Sequence, residues 1–496
     1  MAYIQGFLKL IWESAMSYTA VKYFALVAIA FLLYYIIPKK VRWSVLLLAS
    51  FVFLLSVSDG YGMILVFAFS ILVSYLAGIG ISKKEGLASV AFLIFGITAS
   101  VTPLIVTRII GFLSSENIFV SIGGWITPIG LSFYSLQIIS YLVDIYRGRF
   151  EPQKNPFKYA LYVSFFPILI QGPISRYDQL GEQLYAGHAY KTENLMRGIQ
   201  SILWGLFLKL MIADKAAVYV DAIFGGDRYF TGFYILVAAI LYSIQLYTDF
   251  QSCVTISQGV GELFGIHITD NFRRPYFSSS VREFWRRWHI SLSEWLRDYI
   301  YIPMGGNRKG KIRKYFNLFV TFTVSGIWHG ASLKFLLWGW LHAGYQIIGD
   351  IIRKPKDFLL TKLSLPTGSG VRRFLETVVT FFLVMIAWIF FRADSFSEGL
   401  TMIGSMFSSF NPWILFNGSL YQFGLSQQEF IVLGLSILLL ILVGHFQEKG
   451  VLIKDVFNRQ NLVIRWSAYL LIIWTIWIFG TYGFGFDSSD FIYGGF

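Results

Sequence analysis

Cysteine is almost missing from this 496-residue chain, where Cys253 stands alone. One thiol excludes an intramolecular disulfide and any cysteine-held zinc or iron–sulfur cluster. Charge is scarce as well: 14% of residues are charged against 56% hydrophobic, with a mean hydropathy of +0.60. Soluble domains carry about 25% charged residues, so the polar surface that would cover a water-exposed globule is lacking. That excludes a cytoplasmic globular enzyme, a disordered chain and a coiled coil. There is no His-Glu-x-x-His run and no Gly-x-Ser-x-Gly elbow, which removes the zincin and serine-hydrolase patterns. Cys253 follows Asp249-Phe-Gln-Ser without the basic neighbours that sharpen a thiolate. No tandem repeat or inverted duplication is visible, and the latter would have favoured a secondary transporter.

Long apolar runs are plentiful. A helix needs about 20 apolar residues to cross the hydrocarbon core. Runs lie at 20–37, 43–58, 61–81, 88–113, 124–145, 158–174, 197–213, 230–248, 317–348 (one or two passes), 374–391, 428–445 and 464–482. The expected fold class is therefore all-α, a polytopic integral membrane protein with about 11–13 membrane-embedded helices. No cleavable signal peptide is expected, because no small-residue cleavage site follows the first run. Lys39, Lys40 and Arg42 flank one end of the 43–58/61–81 hairpin, and Lys83 and Lys84 the other. Both ends read as cytoplasmic and the N-terminus as outside.

Residues 273–314 break the pattern. They carry eleven Lys/Arg and three Asp/Glu, a net +8 of the chain's +13. Ser280-Val-Arg-Glu283 is a capping-box pattern that starts a helix. Phe284, Trp288, Leu292, Trp295, Leu296 and Tyr299 follow at helical spacing, interleaved with Arg282, Arg286, Arg287 and Arg297. An aromatic face against an arginine face predicts an amphipathic helix in the headgroup plane. The plain reading is membrane anchoring; the sharper one is a surface that also receives an anionic donor. Gly305 to Gly310-Lys311 narrowly misses a phosphate-binding P-loop, since Ile312 stands where a hydroxyl should be and no strand precedes it. An NTPase is rejected.

Six histidines occur: His188, His267, His289, His329, His342 and His445. His329 lies in Ser325-Gly-Ile-Trp-His-Gly-Ala331, midway through an apolar stretch and flanked by small residues that leave room beside the ring. An ionisable group at such depth marks a functional candidate. His289 sits in Arg286-Arg-Trp-His289 on the basic segment. His342 and His445 read as packing residues. No carboxylate stands at ligand spacing from His329, so no metal is expected. What remains is a neutral imidazole in a dry channel, suited to taking a proton from a hydroxyl. Asp144, Arg147, Lys209, Asp214 and Asp249 also lie in or near spans, and Asp144 and Arg147 could pair on one helix face.

These residues resemble the membrane-bound O-acyltransferase (MBOAT) family, in the bacterial branch typified by the alginate O-acetylation membrane subunit and by peptidoglycan O-acetylation. The resemblance rests on Pro128-Ile-Gly-Leu-Ser-Phe-Tyr-Ser-Leu-Gln-Ile-Ile-Ser-Tyr-Leu-Val-Asp-Ile-Tyr-Arg147 and Phe165-Phe-Pro-Ile-Leu-Ile-Gln-Gly-Pro-Ile174. More specific are Phe284-Trp-Arg-Arg-Trp-His-Ile-Ser-Leu-Ser293, Arg297-Asp-Tyr-Ile-Tyr-Ile-Pro-Met-Gly-Gly-Asn-Arg308 and Ser325-Gly-Ile-Trp-His-Gly-Ala331. Phe390-Phe-Arg-Ala393 and Phe491-Ile-Tyr493 fit too. One departure stands after Asp249-Phe250: the branch reads Ser-Gly-Tyr-Ser-Asp, whereas this chain has Gln251, Ser252, Cys253, Val254 and Thr255.

The resemblance implies a helical ring around a central funnel or tunnel, with amphipathic interfacial helices. It implies N-terminal transmembrane helices over 1–118, a catalytic core with re-entrant and interfacial helices over 119–350, and C-terminal transmembrane helices over 351–496, all one structural unit. By the family pattern His329 is the catalytic histidine and His289 the second family histidine. Trp328, Trp285, Gln137, Asn307 and Arg308, within the matching stretches, are expected to contact substrate. The implied activity is O-acetylation of an extracellular polysaccharide or cell-wall glycan at the inner membrane. Acetyl-CoA from the cytoplasm is the implied donor substrate, with no tightly bound cofactor and no metal. The implied partners are the bilayer, a separate extracytoplasmic acetyltransferase and the glycan; nucleic acid is not among them. The alternatives are D-alanyl or another acyl transfer to teichoic acid, lipid acylation by a long-chain donor, and a non-catalytic glycan or lipid transporter.

Overall fold

The computed structural model describes residues 16–58, 60–113, 130–225, 230–330 and 332–482. Among them the regular elements are all helices. Seven are long and apolar enough to cross a membrane: Lys39–Val57, Tyr61–Lys83, Gly86–Ile109, Phe233–Leu263, Gly370–Arg392, Gln427–Glu448 and Leu462–Phe479. The chain is a multi-pass membrane protein, all-helical over the described residues.

Several other apolar runs fold differently, for local reasons. The run at 20–37 is a helix of 16 residues, Val21–Ile36. The run at 158–174 gives only Pro156–Ser164, nine residues, because Pro167 follows and cannot continue a helix. The run at 317–348 becomes two helices broken at Gly330. The start of the 124–145 run, with Pro128 and Ile129, lies outside the described residues, as do Ala331 and the terminal Phe491-Ile-Tyr493.

The chain divides into two compact units. Among the described residues, the first comprises those up to Gly205 together with Cys253–Thr269. It contains α1 (Val21–Ile36), α2 (Arg42–Val57), α3 (Tyr61–Lys83), α4 (Gly86–Leu113), α5 (Leu131–Tyr146), α6 (Pro156–Ser164), α7 (Tyr177–Tyr185) and most of α8 (Thr192–Phe207). Small residues let α3 and α4 approach closely: a Cβ on Gly96 would stand 2.5 Å from Cβ of Ala77. Arg42, counted above as a charged flank, is 8% exposed and donates to the carbonyls of Ile37, Tyr35 and His188. It also lies over the rings of Tyr34 and Tyr35. Its charge therefore ties chain segments together inside the protein. Asp144 on α5 is met by Arg149, 3.2 Å away.

The second unit comprises Leu206–Ser252 and Asp270–Ile492. It opens with a π-helical turn, Leu208–Ala213, that continues into α9 (Asp214–Phe224). Next comes α10 (Phe233–Leu263), which the unit boundary divides between Ser252 and Cys253. The Lys209 ammonium on the π-turn lies 2.8 Å from the Asp214 carboxylate and 2.7 Å from that of Asp249 on α10, all three side chains at most 3% exposed. Removing one partner of a buried ion pair strands the other's charge. Lys209→Met is therefore expected to destabilise the protein by about 3–5 kcal/mol. Thermal unfolding in detergent would read this, and adding Asp214→Asn and Asp249→Asn to it should restore most of the loss.

The basic stretch does not form one helix. It is α11 (Val281–Arg287) and α12 (Ile290–Leu296), broken at Trp288-His289, then a π-helical turn over Arg297–Tyr301. Ser280 caps α11 as expected, accepting from the Glu283 N–H at 3.2 Å, but the Glu283 carboxylate turns back to Ser279. Phe284, Trp288, Leu292, Trp295 and Leu296 are all buried in the protein. Hydropathy spacing could not distinguish this packed face from a lipid-facing one. Then follow α13 (Gly310–His329), α14 (Leu333–Ile351), α15 (Arg353–Lys362), α16 (Gly370–Arg392), α17 (Phe396–Ser408), α18 (Gln427–Glu448), α19 (Ile453–Asn458) and α20 (Leu462–Phe479).

Candidate active site

His329 is the last residue of α13, where Gly330 ends the helix and donates its N–H to Gly326 O at 3.2 Å. Two glycines bring α13 and α14 together here. A Cβ on Gly326 would stand 2.6 Å from Phe335 O, and one on Gly339 would stand 2.4 Å from Phe322 O. Gly330, read above as leaving room beside the histidine, serves packing instead: its Cβ position lies 2.3 Å from the Phe335 ring.

The imidazole of His329 is 2% exposed and boxed by aromatic rings. Its centroid is 4.7 Å from Trp328, 4.9 Å from Trp338 and 5.3 Å from Phe391 of α16, each at a steep interplanar angle. Trp338 is held in turn by a stacked Trp388 at 5.8 Å and by His342 at 5.1 Å. His342 accepts a hydrogen bond at Nδ1 from Trp285 Nε1, 3.2 Å away. It is a hydrogen-bonded packing residue, and it belongs to the same aromatic cluster as His329.

His289 precedes α12 with φ 44° and ψ 55°, the left-handed region that non-glycine residues avoid by about 1–2 kcal/mol. Its ring meets Phe250 of α10 edge-on at 4.8 Å and the Trp328 ring at 6.0 Å. Trp328 thus touches both imidazoles. Desolvation pushes the His289 pKa down to about 3, so the ring is neutral at physiological pH. In the unfolded chain it titrates near 6.5. Below that pH the unfolded state takes up a proton that the folded ring refuses, so this contribution to stability is complete above about 6.5 and is lost as pH falls towards 3. The loss is at most about 1.4 kcal/mol per pH unit. Between pH 7 and 5 the wild-type melting temperature should fall faster than that of His289→Gln.

Of the other residues expected to contact substrate, Trp328 and Trp285 are in this cluster, both buried. Gln137 belongs to the first unit, buried on α5, with its amide 3.5 Å from Ser175 O. Asn307 and Arg308 are exposed just before α13. His329 ends that 20-residue helix, which spans about 30 Å, so neither reaches the histidine. Much of the basic charge nearby is engaged within the protein. Arg282 and Lys314 both meet Asp350, Arg274 and Arg287 meet Glu448, and Arg297 meets Asp298. Arg286, Arg308, Lys309 and Lys311 stay exposed.

Sequence reasoning missed Trp338, Phe391, Phe250 and Asn271. Trp338 and Phe391 read as ordinary apolar residues of spans and Phe250 stood just beyond one, and only folding brings them to the imidazoles. Asn271 carried no signal of its own, standing two residues before the Arg-rich segment that opens at Arg273.

The family model for MBOAT, the membrane-bound O-acyltransferase family, matches residues 152–392, a window that holds both histidines and their aromatic neighbours. The probable alginate O-acetylase AlgI of Pseudomonas aeruginosa is 34% identical over 394 residues, covering 77% of this chain and 73% of the relative. The chain belongs to the MBOAT family. The probable alginate O-acetylase AlgI of Pseudomonas syringae pv. tomato is 38% identical over 291 residues, 58% of this chain and 53% of the relative. This MBOAT chain is also similar to the peptidoglycan O-acetyltransferase of Helicobacter pylori, 34% identical over 309 residues and 57% of each. The matched part spans just over half the length of several of these relatives.

Proposed function

We propose that this chain is a histidine-dependent O-acetyltransferase that moves an acetyl group from a cytoplasmic thioester, acetyl-CoA, across the membrane for O-acetylation of an extracellular polysaccharide or cell-wall glycan. The observation that carries the reading is His329, buried in an aromatic box at a helix end and sharing Trp328 with a second buried imidazole. The names of the relatives, alginate O-acetylase and peptidoglycan O-acetyltransferase, support the acyl group and the class of acceptor.

His329 takes the proton of an acceptor hydroxyl as its oxygen attacks the thioester carbonyl. The C–S bond breaks, an ester forms, and the imidazolium returns the proton to the leaving thiolate. No net proton is consumed. The aromatic walls exclude water and so suppress hydrolysis of the thioester. The exposed Arg286, Arg308, Lys309 and Lys311 suit the phosphates at the far end of the donor. A charged carrier cannot cross hydrocarbon, so donor and acceptor meet inside the protein and the carrier stays on the inner side of the cell membrane. A separate extracytoplasmic acetyltransferase completes transfer to the sugar.

Purified protein in nanodiscs, given radiolabelled acetyl-CoA and a soluble alcohol or glycan acceptor, tests the donor. Labelled ester and stoichiometric thiol are expected. A D-alanyl carrier accepted where acetyl-CoA is refused would move the reading to teichoic-acid acylation. Passage of glycan with no ester formed would move it to a transporter.

A further inference from the structure

Three contacts converge on one oxygen beside His289. The main-chain N–H of Ser291 donates to Asn271 Oδ1 at 3.0 Å, and the Ser291 hydroxyl donates to the same atom at 2.9 Å. A main-chain N–H can only donate, so the atom it meets is the amide oxygen and not the NH₂. The third contact is His289 Nδ1, 3.3 Å from that oxygen. The oxygen can only accept, so this contact is a hydrogen bond only when Nδ1 carries the hydrogen. The main chain of Asn271 adds a fourth contact, its carbonyl accepting from the Ile290 N–H at 2.9 Å. One buried residue therefore holds the ring of His289 and the backbone just after its left-handed turn.

We infer that Asn271 is a positioning residue that sets His289 in the Nδ1–H tautomer, so that Nε2 presents a lone pair. A lone pair accepts, and the substrate group it fits is an O–H rather than a carbonyl. His289 then holds an O–H of the acceptor beside the hydroxyl that His329 deprotonates, while the thioester carbonyl is left to other groups. The role in catalysis rests on the proposed acyl transfer; the tautomer does not. Phe250 from α10, Trp328 from α13 and Asn271 itself, which face the ring, are all uncharged. Burial leaves the imidazole neutral among them.

Two measurements test this. Solid-state NMR of ¹⁵N-histidine-labelled protein in lipid, with the His289 signals assigned by their loss in His289→Gln, reads the tautomer of the unaltered site. A protonated Nδ1 and an unprotonated Nε2 are expected, and a protonated Nε2 would overturn the inference. Kinetics then separate positioning from mere support of the fold. Asn271→Leu should lower kcat at least about tenfold and raise KM for the alcohol, leaving KM for the acyl donor unchanged. Asn271→Asp keeps every acceptor contact but adds a negative charge that favours imidazolium. Its activity at pH 8 should approach wild type and then fall as pH drops towards about 5, where the wild-type profile stays flat. Superimposable pH profiles for Asn271→Asp and wild type, or a rise in donor KM alone for Asn271→Leu, would contradict the assignment. If His289→Gln keeps full acyl transfer, the catalytic part given to His289 fails while the NMR result still decides the tautomer.

Discussion

His329→Ala is expected to lower acyl transfer by about 10²–10⁴-fold, the share that a positioned general base contributes. The loss should fall on kcat and on kcat/KM alike, because the ring works on the reacting hydroxyl rather than on binding the donor. Deleting a buried ring also removes packing against Trp328, Trp338 and Phe391, so His329→Gln is the better companion, retaining bulk without a titratable nitrogen. Both variants should elute and melt as folded protein, with Gln nearer to wild type. Their shared loss of activity would then report chemistry and not collapse of the box.

Gly339→Ala is expected to cost about 100-fold in rate although it lies ten residues from His329 and touches no reacting atom. The Cβ it adds would sit 2.4 Å from Phe322 O, a backbone atom of the helix that carries His329. Backbone cannot rotate away as a side chain can, so α13 and α14 must separate by about an ångström. A misplacement of that size in a catalytic group costs about 10²-fold, and overpacking about 1–3 kcal/mol. Gly344→Ala on the same helix is the control: nothing stands within 4 Å of its Cβ position. There the substitution should leave rate unchanged and stability equal or improved, since Ala is the better helix former by about 1 kcal/mol. Equal activity in the two variants would mean that the glycine crossing does not set the place of His329.

The contrast between the two histidines shows what the order of residues can disclose. His329 was legible because a titratable ring inside an apolar stretch is conspicuous whatever surrounds it. His289 was legible as a residue but not as a geometry. Its arginine-and-aromatic spacing fits an unbroken interfacial helix, and only the contacts of Asn271 and Phe250 reveal the left-handed break that buries it. Gly330 and Gly339 show the same limit, since a glycine gives no sign of whether it makes room for substrate or for a neighbouring carbonyl. Arg42 looked like a marker of the cytoplasmic face, yet it caps carbonyls within the protein. Helicity and membrane embedding were plain from hydropathy alone. The helices that carry or face the histidines mix polar and aromatic residues, and for them hydropathy gave only approximate limits.

The most direct measurement uses sealed proteoliposomes loaded with labelled acetyl-CoA, with a soluble alcohol or glycan acceptor supplied only outside. Wild-type protein should place labelled ester in the outer solution while acetyl-CoA stays inside, and His329→Gln in the same vesicles should place none. Labelled ester formed equally by both proteins would contradict histidine-dependent transfer, and intact label inside wild-type vesicles that retain folded protein would contradict acetyl-CoA as the donor.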